Sequence, residues 1–411
     1  DFPQYQYSKL QLQRYHVQEL KKKVDEIFEQ VVAFRRELHM YPERSEQEEN
    51  TSTMIQAELN RLGIPYQSNI AGYGVCATIY GKDRSRGVGV RADMDALPLT
   101  EMTDVPFKSK HPGLMHGCGH DIHTAVLLGT ARILNELKED LSGSVRLLFQ
   151  PSEETIGGAK QMIDAGCLEN PLISSVIGLH VDTAVDAGSI QFIPGAMNAA
   201  SCEFYVTVTG KSCHGAHPSD GIDSLLPACA MVGALQSIIT RKIDPAEAAL
   251  ITVGQFHSGT KNNIISGETK FSGIIRTLNM EHRSFIKEQI EGICLSTAKA
   301  YGAACRVEFH DSYPSLENDE QLLAWVKPVC EEALGSDHVH LCTKPSLGAD
   351  DFAYFCHGTR GLYYNIGARR PGEQAAYPIH SDRFNPDEEC IRVGILTEVL
   401  AVLKILEEEN S

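Results

Sequence analysis

The sequence predicts an α/β protein in which a mostly parallel sheet with helices on both faces is interrupted by an inserted ferredoxin-like β-α-β-β-α-β domain. Apolar runs at 145–149 and 174–179 are continuous, as in strands buried on both faces of a parallel sheet. Segments with helical periodicity alternate with such runs. Residues 201–209 instead alternate strictly between apolar and polar, which is typical of a half-exposed strand. The length of 411 residues also predicts two domains.

Two predicted helices precede the sheet. Residues 21–39 carry an apolar stripe at helical spacing, and Pro42 follows the end of this helix. Ser45 is predicted to open the second helix, because Glu48 stands three residues later and completes a capping box. Gly63 is predicted to end it.

Polar side chains follow the predicted strands at 88–92, 145–149 and 174–179. The residues in these positions are Asp93, Asp95, Glu153, Glu154 and His180. Because ligands bind beyond the carboxyl ends of the strands in open parallel sheets, we expect these side chains to share one edge of the sheet. The other elements predicted in this region are a strand at 74–80 and helices at 124–138 and 158–165.

A different pattern occupies residues 197–311. The half-exposed strand is followed by a helix, two strands, a helix and a strand, which is the order of the ferredoxin-like split motif. These five elements are predicted at 221–240, 249–256, 268–278, 281–301 and 305–310. Later elements return to the first pattern, with helices at 318–334 and 387–407 and a buried strand at 361–366. We therefore expect one discontinuous domain, 1–196 and 312–411, interrupted by a second domain at 197–311.

The segment 115–123 is rich in residue types that bind metal ions. It holds three imidazoles, one thiol and one carboxylate, with Gly117 and Gly119 on either side of Cys118. The glycines argue against a helix and allow the loop to bend, so that Cys118 and His120 point at a common centre. Thiolate and imidazole are zinc ligands, and imidazole and carboxylate also suit manganese and cobalt. The alternative is a buried thiol beside a histidine that bonds to the backbone.

The Glu153–Glu154 pair has two interpretations. Adjacent carboxylates beyond a buried strand are unfavourable unless a cation is near, so one could ligate a metal while the other acts as a general base. Alternatively, both face solvent at the N-terminus of the helix that follows. For Asp95 and His380, the alternative interpretation is that each is an ordinary solvent-exposed surface residue. The expected meeting of several such residues at one edge of the sheet favours a metal site.

Composition excludes several classes of function. Asp and Glu outnumber Lys and Arg by 54 to 37, and the net charge of −17 opposes binding to nucleic acid and to anionic membranes. No apolar run has the length of a membrane span. The 12 cysteines are scattered, which predicts reduced core thiols in a cytoplasmic protein. Residues 1–15 do not resemble a signal peptide, but the sequence starts with Asp1 rather than Met, so secretion stays open as an alternative.

Six motifs are spread over nearly the whole chain. They are Arg35-Arg36-Glu37-Leu38-His39, Arg91-Ala92-Asp93-Met94-Asp95-Ala96-Leu97-Pro98, His116-Gly117-Cys118-Gly119-His120-Asp121, Gln150-Pro151-Ser152-Glu153-Glu154, Gly178-Leu179-His180 and Ile379-His380-Ser381. Together they resemble the di-metal aminoacylase and carboxypeptidase family of metallopeptidases. The resemblance is to its amidohydrolase branch, which includes hippurate hydrolases, auxin-conjugate hydrolases and N-acetyl-diaminopimelate deacetylases. It implies a metal-dependent amidohydrolase of N-acyl-amino acids or small amino-acid conjugates, with a catalytic domain and an inserted lid/dimerisation domain.

The resemblance also implies roles for individual residues. Two divalent metal ions, manganese or zinc with cobalt or nickel as options, would be held by Cys118, His120, Glu154, His180 and His380. Glu153 would be the general base that takes a proton from the attacking water and passes it to the leaving amine. Asp95 would hold a metal-ligand residue in place without binding the metal itself. Asp93 stands where other branches carry a metal-binding histidine and is expected to be a nearby acid.

Further implied roles fall in the insert. Residues 210–218 resemble the lid motif, which implies His214 as the donor to the oxyanion and makes His217 the less favoured candidate. Asn263 matches the Asn of the family's Asn-Val-Ile-Pro stretch, although this chain has Asn-Ile-Ile-Ser. Arg276 would bind the substrate carboxylate bidentately. A homodimer through the insert and a small-molecule substrate also follow from the resemblance.

Two alternative functions stay open. A dipeptidase or carboxypeptidase would use the same residues, and comparing N-acyl amino acids with dipeptides as substrates separates it from an amidohydrolase. A catalytically silent metal-binding sensor would take up metal without turnover. The Glu153–Glu154 pair argues against the sensor, because a silent protein has no need of a general base.

Overall fold

The structure is a computed structural model that describes residues 17–374 and 376–409. The chain divides into two compact units. Of the described residues, the first unit contains those up to Gly195, Glu317–Thr343 and those from Tyr354 on, and the second contains Ala196–Leu316 and Lys344–Ala353. The segment 344–353, which was expected in the interrupted domain, groups with the second unit. The prediction for residues 1–15 lies outside the described residues.

The strands and helices are numbered in chain order. The strands are β1 (Tyr66–Ile70), β2 (Gly74–Ile79), β3 (Arg86–Asp93), β4 (Ser144–Gln150), β5 (Leu172–Asp186), β6 (Ile190–Phe192), β7 (Gly195–Asn198), β8 (Ala200–Thr209), β9 (Ala249–Ser258), β10 (Glu268–Thr277), β11 (Ala304–Asp311), β12 (Leu316–Asn318), β13 (Val339–Leu341) and β14 (Arg360–Arg369). The α-helices are α1 (Val17–Met40), α2 (Glu49–Leu62), α3 (His120–Glu136), α4 (Ala159–Asp164), α5 (Leu225–Lys242), α6 (Met280–Ala300), α7 (Glu320–Leu334), α8 (Ala353–Gly358) and α9 (Glu389–Glu409).

The first unit is built on one sheet whose strand order is β1-β2-β4-β3-β5-β14-β6-β13. Its centre, β4-β3-β5-β14, is parallel. Antiparallel pairs join β1 to β2, β2 to β4 and β14 to β6. Strands β3 and β4 are buried at every position except Arg86, which agrees with their continuous apolar sequences. The predicted mostly parallel sheet is therefore confirmed.

Two helices of the first unit are buried around most of their circumference. Helix α3 is buried at every position from His120 to Ala131, and α9 is buried along nearly its whole length. They pack against each other and against α1, and both contact the central strand β3. A helix that is apolar all round needs neighbours on every side, so this packing fixes the start of α3 next to the carboxyl end of β3.

The predicted capping box of α2 is wrong. The helix begins at Glu49, and the Glu48 side chain makes no capping hydrogen bond. Glu43 takes that role instead, because its carboxylate accepts from the backbone N–H groups of Asn50 and Thr51 at 2.9 and 2.7 Å. Ser45, the predicted first residue, donates its hydroxyl to a distant aspartate.

Two boundaries near the predicted metal loop also differ from expectation. Helix α3 begins at His120, four residues before the predicted start, because Gly119 adopts a left-handed φ of 88° and turns the chain directly into the helix. His180 lies inside β5, which continues to Asp186 instead of ending at this histidine. His180 therefore projects from a regular strand.

The second unit contains an antiparallel sheet of order β11-β8-β10-β9, on which α5 and α6 pack. The order along the chain is β8-α5-β9-β10-α6-β11, as the ferredoxin-like motif requires. Along β8 the apolar residues Cys202, Phe204, Val206 and Val208 face the core of this unit. The side chain of Asn279 caps α6 by accepting from the backbone N–H of Glu281 at 2.7 Å.

Helices capable of crossing a membrane are absent from residues 17–374 and 376–409, since none combines the necessary length with sufficient apolar character.

Replacing Glu398 with glutamine is expected to remove a pH-dependent loss of stability. Glu398 is buried in α9, where burial raises the pKa of its carboxyl from 4.5 to about 8 despite a hydrogen bond from Thr130 at 2.8 Å. Between these two pKa values the folded protein binds more protons than the unfolded chain, so stability falls as pH rises, by up to about 1.4 kcal/mol per pH unit. Chemical denaturation across this pH range should show a flatter profile for Glu398→Gln.

The matched control is Glu408→Gln on the same helix, where the carboxylate pairs with Lys404 near the surface. This control should leave the pH profile of stability unchanged. A profile for Glu398→Gln that still falls as steeply as the wild type would contradict the assignment.

Candidate metal centre and active site

Five side chains from distant parts of the first unit converge on one place. The Sγ atom of Cys118 lies 3.4 Å from Nε2 of His180, and Oε1 of Glu154 lies 3.2 Å from Nε2 of His380. Nε2 of His120 is 3.9 Å from the same Glu154 oxygen. The possible ligand atoms of Cys118, His120 and His180 lie within 4.8 Å of one another, as do those of Cys118, Glu154 and His380. The structure thus brings together all the residues predicted to hold metal.

The glycines of the loop allow this convergence. A Cβ atom on Gly119 would lie 2.4 Å from Cγ2 of Val181, so the loop approaches β5 as closely as a glycine permits. The carbonyl of Gly117 accepts from the backbone N–H of His380 at 2.8 Å. The loop is therefore fixed on one side by the strand that carries His180 and on the other by the segment that carries His380.

In His120 and His180, hydrogen bonds determine which ring nitrogen is available to bind a metal. Nδ1 of His120 lies 3.1 Å from Oδ1 of Asp95, and Nδ1 of His180 lies 2.8 Å from the carbonyl oxygen of Val181. Each Nδ1–H donates to its oxygen, so Nε2 carries the lone pair of each ring, and on His180 this lone pair faces the Cys118 thiol. Nε2 of His120 is buried and has no hydrogen-bond partner in the described residues. A divalent cation fits this arrangement, because it would satisfy an otherwise unpaired buried nitrogen.

The electrostatics of the site also favour a cation. Burial works against ionisation of Asp93, but His120 and Arg91 outweigh it and hold the pKa of this carboxyl well below its usual range. Burial likewise disfavours protonated His120, yet Asp93 and the hydrogen bond to Asp95 raise the pKa of its imidazole well above the usual value. A buried site that favours a protonated imidazole is suited to a bound cation, which would take the place of that proton.

The protonation state of Cys118 depends on whether a cation is bound. Burial raises the pKa of its thiol well above the ordinary value, so the isolated side chain is a neutral thiol. A coordinating thiol is deprotonated by the metal that it binds. Binding of a metal by the Cys118 thiol would therefore release a proton.

Glu153 lies beside these donors and is only 7% exposed. A carboxylate oxygen of Glu153 and the possible ligand atoms of His120 and Glu154 lie within 4.8 Å of one another. Glu153 follows the end of β4 through Ser152, which has a left-handed φ of 60°. A carboxylate in this position can exchange a proton with a molecule held at the donor cluster.

The other two imidazoles of the loop differ in their surroundings. Nδ1 of His123 lies 2.6 Å from Oδ1 of Asp93, and its Nε2 accepts from the backbone N–H of Val181 at 3.0 Å. Both His123 nitrogens are therefore used within the protein. His116 is also buried, and burial lowers the pKa of its imidazole to about 4.

A buried ionic network that the sequence did not reveal lies next to the start of α3. Nε of Arg35 and Nδ1 of His39 each lie 2.8 Å from Oδ2 of Asp121, the residue that follows His120. Nε2 of His39 is 3.3 Å from Oε1 of Glu101. The sequence signal for this network is the four-residue spacing of Arg35 and His39, which places two ionisable side chains on one face of α1 next to its apolar stripe. Their partners lie too far along the chain for spacing to reveal.

The remaining predicted site residues belong to the second unit. His214 forms an isolated bridge with Ile264, and the backbone N–H of Gly215 donates to the carbonyl of Asn263 at 2.8 Å, so His214 and Asn263 are neighbours on exposed loops. Arg276 lies on β10 and is half-buried. Its Nη1 is inaccessible and has no hydrogen-bond partner within the described chain, and burial lowers the pKa of its guanidinium.

Comparison with known proteins assigns the chain to a family. Residues 89–403 match the family described as Peptidase family M20/M25/M40. The chain belongs to this family. Among curated relatives, it is 38% identical to thermostable carboxypeptidase 1 of Saccharolobus solfataricus, over 94% of this chain and 98% of that protein. It is 39% identical to N-acyl-L-amino acid amidohydrolase of Geobacillus stearothermophilus, over 74% of this chain and 82% of that protein.

A solved structure supports the same assignment. The Bacillus subtilis YXEP protein, described as a dinuclear metal binding peptidase from the M20 family, superposes with a TM-score of 0.81 at 29% identity, over 93% of this chain and 99% of that one. The predicted family and fold class of this M20 protein are confirmed. The protein is a hydrolase of carbon–nitrogen amide bonds, and its donor set is suited to divalent metal ions.

Replacing Gly119 with alanine is expected to weaken metal binding by about 10–100-fold, as disruption of the residues that orient metal ligands commonly does. The added Cβ would collide with Val181 and push the Cys118 loop away from His180. Metal content after dialysis against a buffered chelator measures the change.

Gly113→Ala is the matched control. Gly113 is also left-handed, with a φ of 79°, but a Cβ added to it would have no neighbouring atom within 4 Å. This control should lose about 1–2 kcal/mol of stability from backbone strain and keep its metal. Equal metal affinity in Gly119→Ala and the wild type would show that the loop does not need this close approach.

Proposed function

We propose that this chain hydrolyses the amide bond of N-acyl-amino acids or small amino-acid conjugates, with Glu153 as the general base. The observation that carries the proposal is the convergence of one thiol, three imidazoles and one carboxylate beside the buried carboxylate of Glu153. The likeness to an N-acyl-L-amino acid amidohydrolase supports the choice of substrate class.

The proposed metal site consists of Cys118, His120, Glu154, His180 and His380. When bound, two divalent ions would polarise the amide carbonyl and lower the pKa of the attacking water. The mixed donor set suits manganese or zinc, with cobalt or nickel as options. Cys118 belongs to both groups of neighbouring donors, so its thiolate would help to hold either ion. Asp95 fixes the ring of His120 through its hydrogen bond to Nδ1.

Glu153 performs both proton transfers of the proposed reaction. Its carboxylate takes a proton from the water as the water oxygen adds to the amide carbon. The resulting carboxylic acid then gives this proton to the amine nitrogen as the carbon–nitrogen bond breaks. The products are a carboxylate and a free amino acid, and Glu153 returns to its starting state.

Three residues of the second unit are proposed to contact the substrate. His214 donates to the oxyanion that develops on the amide oxygen, and Asn263 binds the substrate beside it. Arg276 binds the carboxylate of the amino-acid part. The buried, unpaired Nη1 of Arg276 supports this role, because a half-buried guanidinium with a free donor gains from an anionic partner.

A homodimer formed through the second unit is also proposed. Strand β9 is an edge of its sheet, and edge strands present unpaired backbone groups. Leu225 and Leu226 on α5 are exposed in the single chain, which supports a covering surface from a second copy. For location we propose the cytoplasm, which the free cysteines of the described chain support.

Carboxypeptidase activity is the second candidate, because a relative with 38% identity carries that name. The two functions are separated by release of free amino acid from a panel of N-acetyl and N-benzoyl amino acids and of dipeptides. Preference for the N-acyl compounds supports the proposal, and preference for peptides supports the alternative.

Glu153→Gln is expected to lower kcat by about 100–10,000-fold, because it removes general base catalysis without removing a metal ligand. Chelated protein should regain turnover on the panel when manganese or zinc is restored, while Glu153→Gln should regain only metal. Release of amino acid and metal content are measured side by side.

Glu139→Gln serves as a control for this variant, since Glu139 is an exposed glutamate of the same unit. Turnover that survives both chelation and Glu153→Gln would contradict the mechanism. Full metal loading of the wild type without turnover on any compound would favour the silent sensor.

Arg276→Met is expected to raise KM for N-acyl-amino acids by at least about tenfold, corresponding to loss of a charged hydrogen bond of about 1.5–3 kcal/mol. It should have little effect on the matching N-acyl-amino-acid amides, which lack the carboxylate. Arg306→Met, on the exposed face of β11, is the control. An equal rise of KM for acids and amides would show that Arg276 does not recognise the carboxylate.

A further inference from the structure

Ser152 joins the end of β4 to the Glu153–Glu154 pair in a conformation that serine rarely adopts. Its φ of 60° lies in the left-handed region that favours glycine. Its carbonyl accepts from the backbone N–H of Gly157 at 2.9 Å and closes a turn. Because Ser152 directly precedes Glu153, its backbone angles set the direction in which the Glu153 side chain projects from the turn after β4.

The left-handed conformation of Ser152 is held by residues just before α2. Oε1 of Glu48 accepts from the backbone N–H of Ser152 at 2.8 Å and from its hydroxyl at 3.3 Å. The same hydroxyl oxygen accepts from the backbone N–H of Glu46 at 3.0 Å. Glu46 itself has a left-handed φ of 66°. Strained residues persist only where their surroundings over-determine them, and these hydrogen bonds supply that constraint.

The carboxylate of Glu48 is not needed to cap the helix that it precedes. Glu43 provides the side-chain acceptor for the backbone N–H groups at the start of α2, and Glu48 makes no capping bond. Glu48 is completely buried, and burial raises the pKa of its carboxyl to about 7. An inaccessible carboxyl is unfavourable unless it is hydrogen-bonded, and the bonds from Ser152 satisfy Oε1, whereas Oε2 has no hydrogen-bond partner among the described residues.

The segment just before α2 also helps to hold the backbone that follows Glu153, and it does so through Asp95. The hydroxyl of Ser45 donates to Oδ2 of Asp95 at 2.7 Å, and this oxygen also accepts from the backbone N–H of Glu154 at 3.0 Å. The backbone immediately before Glu153 is thus held by Glu48, and the backbone immediately after it is held by Asp95.

We propose that Glu48 is a positioning residue for the general base. It acts through Ser152 and does not touch the substrate: its carboxylate oxygen fixes the left-handed turn that aims Glu153 at the attacking water. The assignment rests on the role of Glu153 proposed above, and it concerns an interaction that lies outside the metal donors.

The test compares Glu48→Ala and Glu48→Gln with the control Glu43→Ala in the full-length, metal-loaded protein. Glu48→Ala should lower kcat by about 10–100-fold through misalignment of the base, with metal content and KM little changed. Glu48→Gln keeps an acceptor oxygen at the same place and should retain most of the wild-type kcat. Glu43→Ala removes a helix cap and should lower the melting temperature without lowering kcat of the folded protein.

A second substitution separates positioning from general destabilisation. Glycine adopts the left-handed conformation without steric cost, so Ser152→Gly in the Glu48→Ala background should recover part of the lost kcat. Failure of this rescue, or a loss of metal in Glu48→Ala that accounts for its lower kcat, would overturn the assignment. A Glu48→Gln variant as inactive as Glu48→Ala would do the same, because the charge and not the acceptor would then be required.

Hydrogen exchange distinguishes failure of this inference from failure of the proposed function. Glu48→Ala should increase exchange in peptides that cover residues 150–158 and leave peptides from α9 unchanged. Unchanged exchange at 150–158 would refute the positioning contact whatever the activity. If the wild type turns over no compound of the panel, the proposed function fails, while the exchange result still decides whether Glu48 holds the turn.

Discussion

The buried carboxylate of Asp95 joins the segments on which the site depends. Oδ1 binds Nδ1 of His120, and Oδ2 accepts from the Ser45 hydroxyl and from the backbone N–H of Glu154. Burial alone would raise the pKa of Asp95, but the hydrogen bonds from His120 and Ser45 outweigh it and lower that pKa below its usual value. Asp95 is therefore a fixed negative charge that orients one proposed ligand through its ring and another through its backbone.

A second buried network secures the helix that begins at His120. Burial would raise the pKa of Asp121, yet Arg35 and His39 hold this carboxyl far below its ordinary range. Ion pairs of this kind add little net stability, because desolvation offsets their attraction. Removal of one partner would leave an uncompensated buried charge, however, so the network strongly specifies one arrangement of α1 against the first turn of α3.

Three of the six non-glycine residues with left-handed φ in the described chain lie in or next to the same region. Glu46, Ser152 and His380 are non-glycine residues with left-handed φ angles of 66°, 60° and 64°. Ser152 and His380 are each tied by hydrogen bonds to another segment of the site, Ser152 through Glu48 and His380 through Gly117. Strain that is maintained by contacts from elsewhere in the chain is typical of sites whose side chains must point in unfavourable directions.

The fold class, most of the elements and the types of the proposed metal donors follow from the sequence, because burial patterns repeat within each element and these residues lie in recognisable motifs. Which imidazole nitrogen can bind a metal depends on the three-dimensional contacts, because His120 has an unpaired Nε2 while both nitrogens of His123 are hydrogen-bonded within the described chain. Local rules failed at Ser45 and Glu48, which have the spacing of a capping box but bind residues far along the chain. A hydrogen bond depends on the distance and angle between two atoms, and no local spacing encodes that geometry when the atoms belong to distant segments.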